Sequence, residues 1–239
     1  MLLYYIWHGD PIYSPDSLTP LGERQAEAVA KRLVLFGVDE IYTSTSNRAG
    51  QTAKPTCELV KKEAKLLDFA NEGYAWQDLT IETEDGKGRT WLFQNRKTVE
   101  LFNTPAIREL ADCWYDHLDF AAYHYEKGIN RVYDGADAFF AELGYEHQRY
   151  SGRYRIVQPN EQRVALFAHQ GFELAFLSAV LDIPYPMFCT HFDMCHSGIT
   201  VIQFESKGEW AVPKVLTLSS DSHLYREGLP TRYNYGVSF

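Results

Sequence analysis

The chain contains no apolar run approaching the ~20 residues that a membrane-spanning helix requires, so no membrane partner is expected. It has only four cysteines in 239 residues, without close even pairing. That excludes a disulfide scaffold and fits a reducing compartment, which makes a cytoplasmic location the expectation. No basic segment precedes the apolar run at the N-terminus, so that run does not read as a signal peptide. Positive charge is scarce: 23 Lys and Arg stand against 32 Asp and Glu, a net charge of −9. Such a balance argues against a nucleic-acid surface, and it admits a small anionic ligand only where cations cluster locally. Internal repeats, low-complexity tracts and linkers are also missing. The simplest organisation is one domain over residues 1–239 with an inserted cap over residues 77–160. What is abundant is apolar and aromatic: 45% hydrophobic residues and 15% aromatics predict a globular chain with a rigid core and an aromatic-lined surface or pocket.

Leu2 to Trp7 is an unbroken apolar run of β-formers, the habit of a strand buried on both faces in a parallel sheet. Thr19-Pro20 opens a helix, with Thr at the N-cap and Pro at the first position, and Gly37 closes it. Val38 to Thr43 reads as a second strand, and Ser44 to Asn47 offers N-caps for a helix running to about Lys62. A long helix is expected over residues 120–143, ended by Gly144. Tyr154–Val157 and Arg163–Ala168, flanking Pro159-Asn160, read as a hairpin. Arg163–Ala168 also precedes His169, Gln170-Gly171 and an apolar helix, repeating the opening pattern of strand, histidine, glycine and helix. Two late strands fall near Ile199–Phe204 and Val215–Leu218. This grammar predicts an α/β fold: a three-layer sandwich with a mostly parallel central sheet flanked by helices, plus the cap.

Open α/β sheets bind ligands beyond the carboxyl ends of their strands. His8, Arg48 in the first turn of the second helix, and His169 all fall there. Two histidines and an arginine converging on one crevice suit a phosphate. The guanidinium forks onto its oxygens, helix N-termini add donors, and a neutral imidazole can attack phosphorus.

Four blocks carry a resemblance: Trp7-His8-Gly9-Asp10; Leu18-Thr19-Pro20-Leu21-Gly22-Glu23-Arg24-Gln25-Ala26; Ser46-Asn47-Arg48-Ala49-Gly50-Gln51-Thr52-Ala53; and Phe167-Ala168-His169-Gln170-Gly171. In this order they resemble the histidine phosphatase superfamily, also called the phosphoglycerate mutase-like family. The resemblance implies a phosphatase, that is, a metal-independent phosphomonoester hydrolase acting through phosphohistidine on His8. It also implies Arg48 and His169 as phosphoryl-group ligands, with His169 counted among the catalytic residues. By the same carry-over Ser14 and Gly9 join Arg48 on the substrate side, and Glu72 is the proton donor, with Asp68 and Glu82 in reserve. No cofactor or metal is implied, and the partner is a small phosphorylated substrate. In one place the chain departs from the pattern: Trp7 stands where the family's Arg-His-Gly motif has its arginine.

That departure keeps a second class open, a non-catalytic relative that binds a phosphate ligand or a protein. A phosphoglycerate-type mutase is a third possibility. The stretch Cys189-Thr190-His191-Phe192-Asp193-Met194-Cys195-His196 offers zinc-type donors, but its spacing fits no standard zinc knuckle. The cap, which sets the substrate, is where the sequence says least. Oligomeric state has no signature in the sequence.

Overall fold

The computed structural model describes residues 1–234, 237 and 238. In chain order it contains β1 (Leu2–Trp7), β2 (Pro11–Tyr13), β3 (Asp16–Leu18), α1 (Pro20–Phe36), β4 (Glu40–Ser44), α2 (Asn47–Val60) and β5 (Ala64–Leu67). The middle holds α3 (Glu72–Asp78), β6 (Thr80–Glu82), β7 (Arg89–Trp91), α4 (Arg96–Phe102), α5 (Pro105–Leu110), α6 (Tyr125–Glu142), β8 (Tyr145–Gln148) and β9 (Arg153–Ile156). The last part holds β10 (Arg163–Ala168), α7 (Gln170–Leu181), α8 (Tyr185–Cys189), β11 (Ile199–Gln203), β12 (Trp210–Ala211), β13 (Lys214–Ser220) and α9 (Ser222–Glu227).

Six strands form the central sheet in the order β13-β11-β1-β10-β4-β5. β1, β10, β4 and β5 run parallel, and β11 and β13 extend the sheet antiparallel on the β1 side. Strand side chains alternate between faces, and the two faces of β1 feed two different cores. Leu3, Tyr5 and Trp7 join the larger core with α6 and α7, through Tyr133, Phe140, Phe172 and Phe176. Tyr4 and Ile6 join a second core with Val29 and Leu33 of α1 and Ala53 of α2. The result is the three-layer α/β sandwich that the alternation of strands and helices predicts. Among the described residues no helix is long and apolar enough to cross a membrane.

The first helix begins as its caps dictate: Pro20 opens it, and the Thr19 hydroxyl accepts the Gly22 N–H at 3.1 Å. Gly37 ends it with φ of 79°. α7 is apolar on every side, and every residue from Gln170 to Val180 is buried, as expected of a helix packed all round. The long helix α6 begins at Tyr125, later than expected, and Gly144 follows it with φ of 90°.

The expected hairpin does not form. Arg163–Ala168 pairs in parallel with β1 and with β4, at the centre of the large sheet. Arg153–Ile156 instead pairs with β8 and with Trp210–Ala211 in a separate three-stranded antiparallel sheet. The physical reason lies in the residues. Val164 to Ala168 is apolar on both faces and completely buried, which a two-stranded ribbon cannot provide. Between residues 77 and 160 the chain forms two kinds of structure. α6 packs on α7, with the Tyr133 and Ser178 hydroxyls 2.9 Å apart, while β6, β7, α4 and α5 precede it with an exposed turn at residues 84–88.

Candidate active site

His8 follows β1 and His169 follows β10, and these two strands are neighbours in the sheet. The His8 backbone is tied to both flanking strands: its N–H donates to the Ala168 carbonyl at 3.1 Å, and its carbonyl accepts the Ser197 N–H at 3.0 Å. His169 is the N-cap residue of α7. The Tyr5 hydroxyl clamps it twice, donating to the His169 carbonyl at 2.8 Å and accepting its N–H at 3.1 Å.

The His8 ring is buried, with Nδ1 2.7 Å from the Gly9 carbonyl. A carbonyl only accepts, so the proton sits on Nδ1 and the lone pair on Nε2. That lone pair receives the Arg48 Nε–H at 3.1 Å. Burial and the Arg48 cation both hold the His8 pKa well below the ordinary histidine value, leaving a neutral imidazole. Gly9 itself is wedged against α1. A Cβ there would lie 2.6 Å from the Gly22 carbonyl oxygen, and its N–H donates to the Thr52 hydroxyl at 3.0 Å.

Arg48 is the hub. Besides His8, it donates through Nη1 to Asp16 at 2.8 Å and through Nη2 to Glu72 at 2.7 Å. Asp16 also accepts the Asn47 N–H at 2.7 Å, capping α2 from outside. This frees Ser46, the residue in the N-cap position, to place its hydroxyl 3.0 Å from His169 Nε2. The Ser44 hydroxyl lies 2.8 Å from the same nitrogen. His169 Nδ1 is buried and has no hydrogen-bond partner among the described residues. It lies 3.6 Å from a Glu72 carboxylate oxygen. Burial, then the neighbouring His8 and Arg48, push the His169 pKa well down, so this ring is neutral as well.

Glu72 opens α3, where Asn71 is the N-cap. Its second oxygen accepts the Gly171 N–H at 3.1 Å, at the start of α7. Burial raises its pKa above the ordinary carboxylate value, against the opposing pull of Arg48. The two reserve carboxylates sit elsewhere: Asp68 accepts the Tyr74 hydroxyl at 3.1 Å, and Glu82 is exposed on β6. Ser14 is exposed at the turn of the β2–β3 hairpin and does not line the cavity.

Trp7 is buried and its indole stacks on the His196 ring, with centroids 4.2 Å apart and planes at 25°. The Cys189–His196 donors are dispersed: Cys195 shares its sulfur with the Ser219 hydroxyl at 3.4 Å, and His196 is committed to Trp7. His8, Glu72 and His169 do bring one ligand atom each within 4.8 Å of one another, but the Arg48 guanidinium already binds two of the three.

His8, Asp16, Ser46, Arg48 and Glu72 line the floor of a cavity of about 800 Å³, with His169 buried behind them. Tyr13, Trp76, Trp91, Gln94 and Asn234 stand around its rim. Sequence reasoning missed Asp16, the Ser44 and Ser46 hydroxyls, Tyr5 and Tyr13. Asp16 carried a usable signal, since a first-turn arginine that opposes its helix dipole needs a carboxylate partner.

Two neutral histidines flanking one guanidinium at the carboxyl end of a parallel sheet make an anion-handling crevice of the open α/β type. The model of the histidine phosphatase superfamily (branch 1) matches residues 13–116 of the chain. Among solved structures it is similar to a mutant phosphoserine phosphatase from Entamoeba histolytica bound to phosphoserine, at 20% identity and a TM-score of 0.60, covering 93% of this chain and 98% of that one. It is also similar to a mycobacterial glucosyl-3-phosphoglycerate phosphatase in complex with VO3, at 18% identity and a TM-score of 0.58, covering 92% and 99%. A third is the alpha-ribazole phosphatase of Shigella flexneri, at 18% identity and a TM-score of 0.56, covering 92% and 96%. At these identities the likeness is one of fold. No curated protein sequence matches the chain.

Proposed function

We propose that the protein is a metal-independent phosphomonoester hydrolase that works through phosphohistidine on His8. The observation that carries this reading is the neutral His8 ring, whose unprotonated Nε2 accepts the Arg48 Nε–H at 3.1 Å. A phosphoryl group entering the cavity takes over the guanidinium bonds that Asp16, Glu72 and His8 now hold. The unpartnered His169 Nδ1 is a ready donor for one of its oxygens when the Ser44 and Ser46 hydroxyls donate to Nε2.

In the first step His8 Nε2 forms a bond to phosphorus as the ester P–O bond breaks, and the protonated Glu72 carboxyl gives its proton to the leaving oxygen. In the second, the Glu72 carboxylate takes a proton from water as that water attacks phosphorus. The N–P bond breaks, and inorganic phosphate and free His8 are released. The raised Glu72 pKa supports its part, because the acid must start protonated. The segment 77–160 sets the substrate in this reading, through Trp91 and Gln94 at the rim.

Trp7 leaves the phosphoryl group with one guanidinium where the motif supplies two. A missing charge-assisted donor costs roughly 2–4 kcal/mol in the transition state, about 30- to 1,000-fold in rate. The same substitution favours a second reading, a non-catalytic phosphate-binding relative. Phosphate release from a panel of phosphomonoesters, with chelator present, separates the two for wild type, His8→Ala and Trp7→Arg. Turnover by wild type and none by His8→Ala supports hydrolysis. A silent wild type with an active Trp7→Arg variant supports the binding reading on an intact pocket. Silence from both across the panel overturns catalysis.

A further inference from the structure

The cavity is far larger than a phosphoryl group, and its volume lies in the range that holds a drug-sized ligand. Beyond the His8 and Arg48 floor its wall is aromatic. Trp76 and Trp91 meet edge to face with centroids 5.0 Å apart, forming a corner. Trp91 is held rigidly: it stacks on Phe93 at 5.6 Å, and its six-membered ring occupies the space that a Gly171 side chain would fill, 2.4 Å from the ideal Cβ position. Trp76 is 40% exposed, so its ring is presented to a ligand instead of being used up in the core. Tyr13 stands on the Arg48 side, its ring centroid 5.3 Å from the guanidinium carbon.

Charge completes the argument. Among the described residues that line the cavity, Arg48 is the one cation, and Asp16 and Glu72 are the anions. Once Arg48 holds the phosphoryl group, no cation of the lining remains to pair with a carboxylate on the leaving group, and Asp16 repels it. With Glu72 protonated, Asp16 is the remaining anion of the lining, and it is held by Arg48 at 2.8 Å.

From this we infer that the substrate's leaving group is an uncharged alcohol bearing a flat ring, which stacks in the Trp76–Trp91 corner. This rests on the phosphatase reading above and goes beyond it. Ring stacking on a tryptophan is worth roughly 0.5–1.5 kcal/mol beyond area burial, and a buried carboxylate without a partner costs more than that.

The test compares kcat/KM for four phosphate esters of primary alcohols: benzyl phosphate, choline phosphate, phosphoserine and 3-phosphoglycerate. Benzyl phosphate is expected to lead both carboxylate-bearing esters by at least tenfold. Trp76→Ala is expected to shrink that lead to less than threefold, mainly through KM, and Trp76→Phe to restore part of it. A lead for either carboxylate ester, or for choline phosphate, overturns the inference while leaving the phosphatase reading intact. So does a benzyl phosphate preference that Trp76→Ala leaves unchanged. Failure to hydrolyse any of the four in a preparation that hydrolyses other esters in a His8-dependent way also overturns it. Absence of His8-dependent turnover on every ester overturns the phosphatase reading itself.

Discussion

Arg48→Gln tests both the electrostatics and the chemistry of the site. The guanidinium is 3.1 Å from His8 Nε2 and 2.7 Å from a Glu72 oxygen, so it acts on the nucleophile and the acid together. Its positive charge lowers the pKa of His8 and also opposes the burial-driven rise at Glu72. Activity requires His8 neutral, so it is lost as pH falls through the His8 pKa. It also requires Glu72 protonated, so it is lost as pH rises through the Glu72 pKa. Removing the cation raises both values, and the whole bell-shaped kcat/KM profile moves to higher pH. Two unit charges about 4 Å apart interact by about 4 kcal/mol at an effective dielectric of 20, which bounds the shift at about three units; one to three is expected. At the optimum the rate falls by about 10² to 10³, as for the loss of other preorganised oxyanion donors. The assay is phosphate release across pH 4 to 9 on folded variant, checked by circular dichroism, with wild type alongside. A profile that drops without moving, or a loss of less than threefold, refutes the assignment of Arg48 as phosphoryl ligand and pKa modulator.

Gly9→Ala places a Cβ 2.6 Å from the backbone oxygen of Gly22, which no side-chain rotation relieves. It is expected to destabilise the protein by roughly 1–3 kcal/mol in chemical denaturation and to lower kcat by displacing the carbonyl that holds His8 Nδ1. His147 lies between Asp137 at 2.8 Å and Asp182 at 3.2 Å, which raise its pKa to about 9 against its burial. Its folded value exceeds its unfolded one, so the stabilisation is complete below about pH 6.5 and is lost as pH rises toward 9 or 10. The loss reaches at most about 3 kcal/mol, visible as a fall in Tm between pH 7 and 10 that His147→Gln removes. A Tm slope unchanged in that variant would show that other groups govern alkaline stability.

The places of His8, Arg48 and His169 at strand ends and a helix start were legible because they rest on local β-α units, although it is the four-block resemblance, and not periodicity, that singles these residues out. The partners of Arg48 and His169 were not legible. Asp16 comes from the β2–β3 hairpin, and Ser44 and Ser46 come from the other side of His169, so their roles depend on distances that only the fold sets. The hairpin expectation failed for the same reason. β9 finds its second partner in Trp210–Ala211, more than fifty residues later, and a pairing so remote leaves no mark on spacing. Trp76 and Trp91 are ordinary core candidates in sequence. Only their meeting at the cavity rim gives them a different use.

The register of β1 and β10 makes Trp7 and Ala168 direct partners, so the next residue of each strand leaves the sheet side by side. Neighbouring strands lie about 4.8 Å apart, and the His8 and His169 rings stand 5.2 Å apart. The sheet therefore sets the spacing of the two backbones, and the bonds of the rings to Gly9, Ser44 and Ser46 hold the imidazoles at that separation. The two histidines are set by the central sheet, whereas the aromatic wall, like Glu72, is carried on short helices and hairpins. A protein built this way can exchange its outer wall residue by residue and still return to the same reactive geometry, which makes the rim the natural place to retarget it by design.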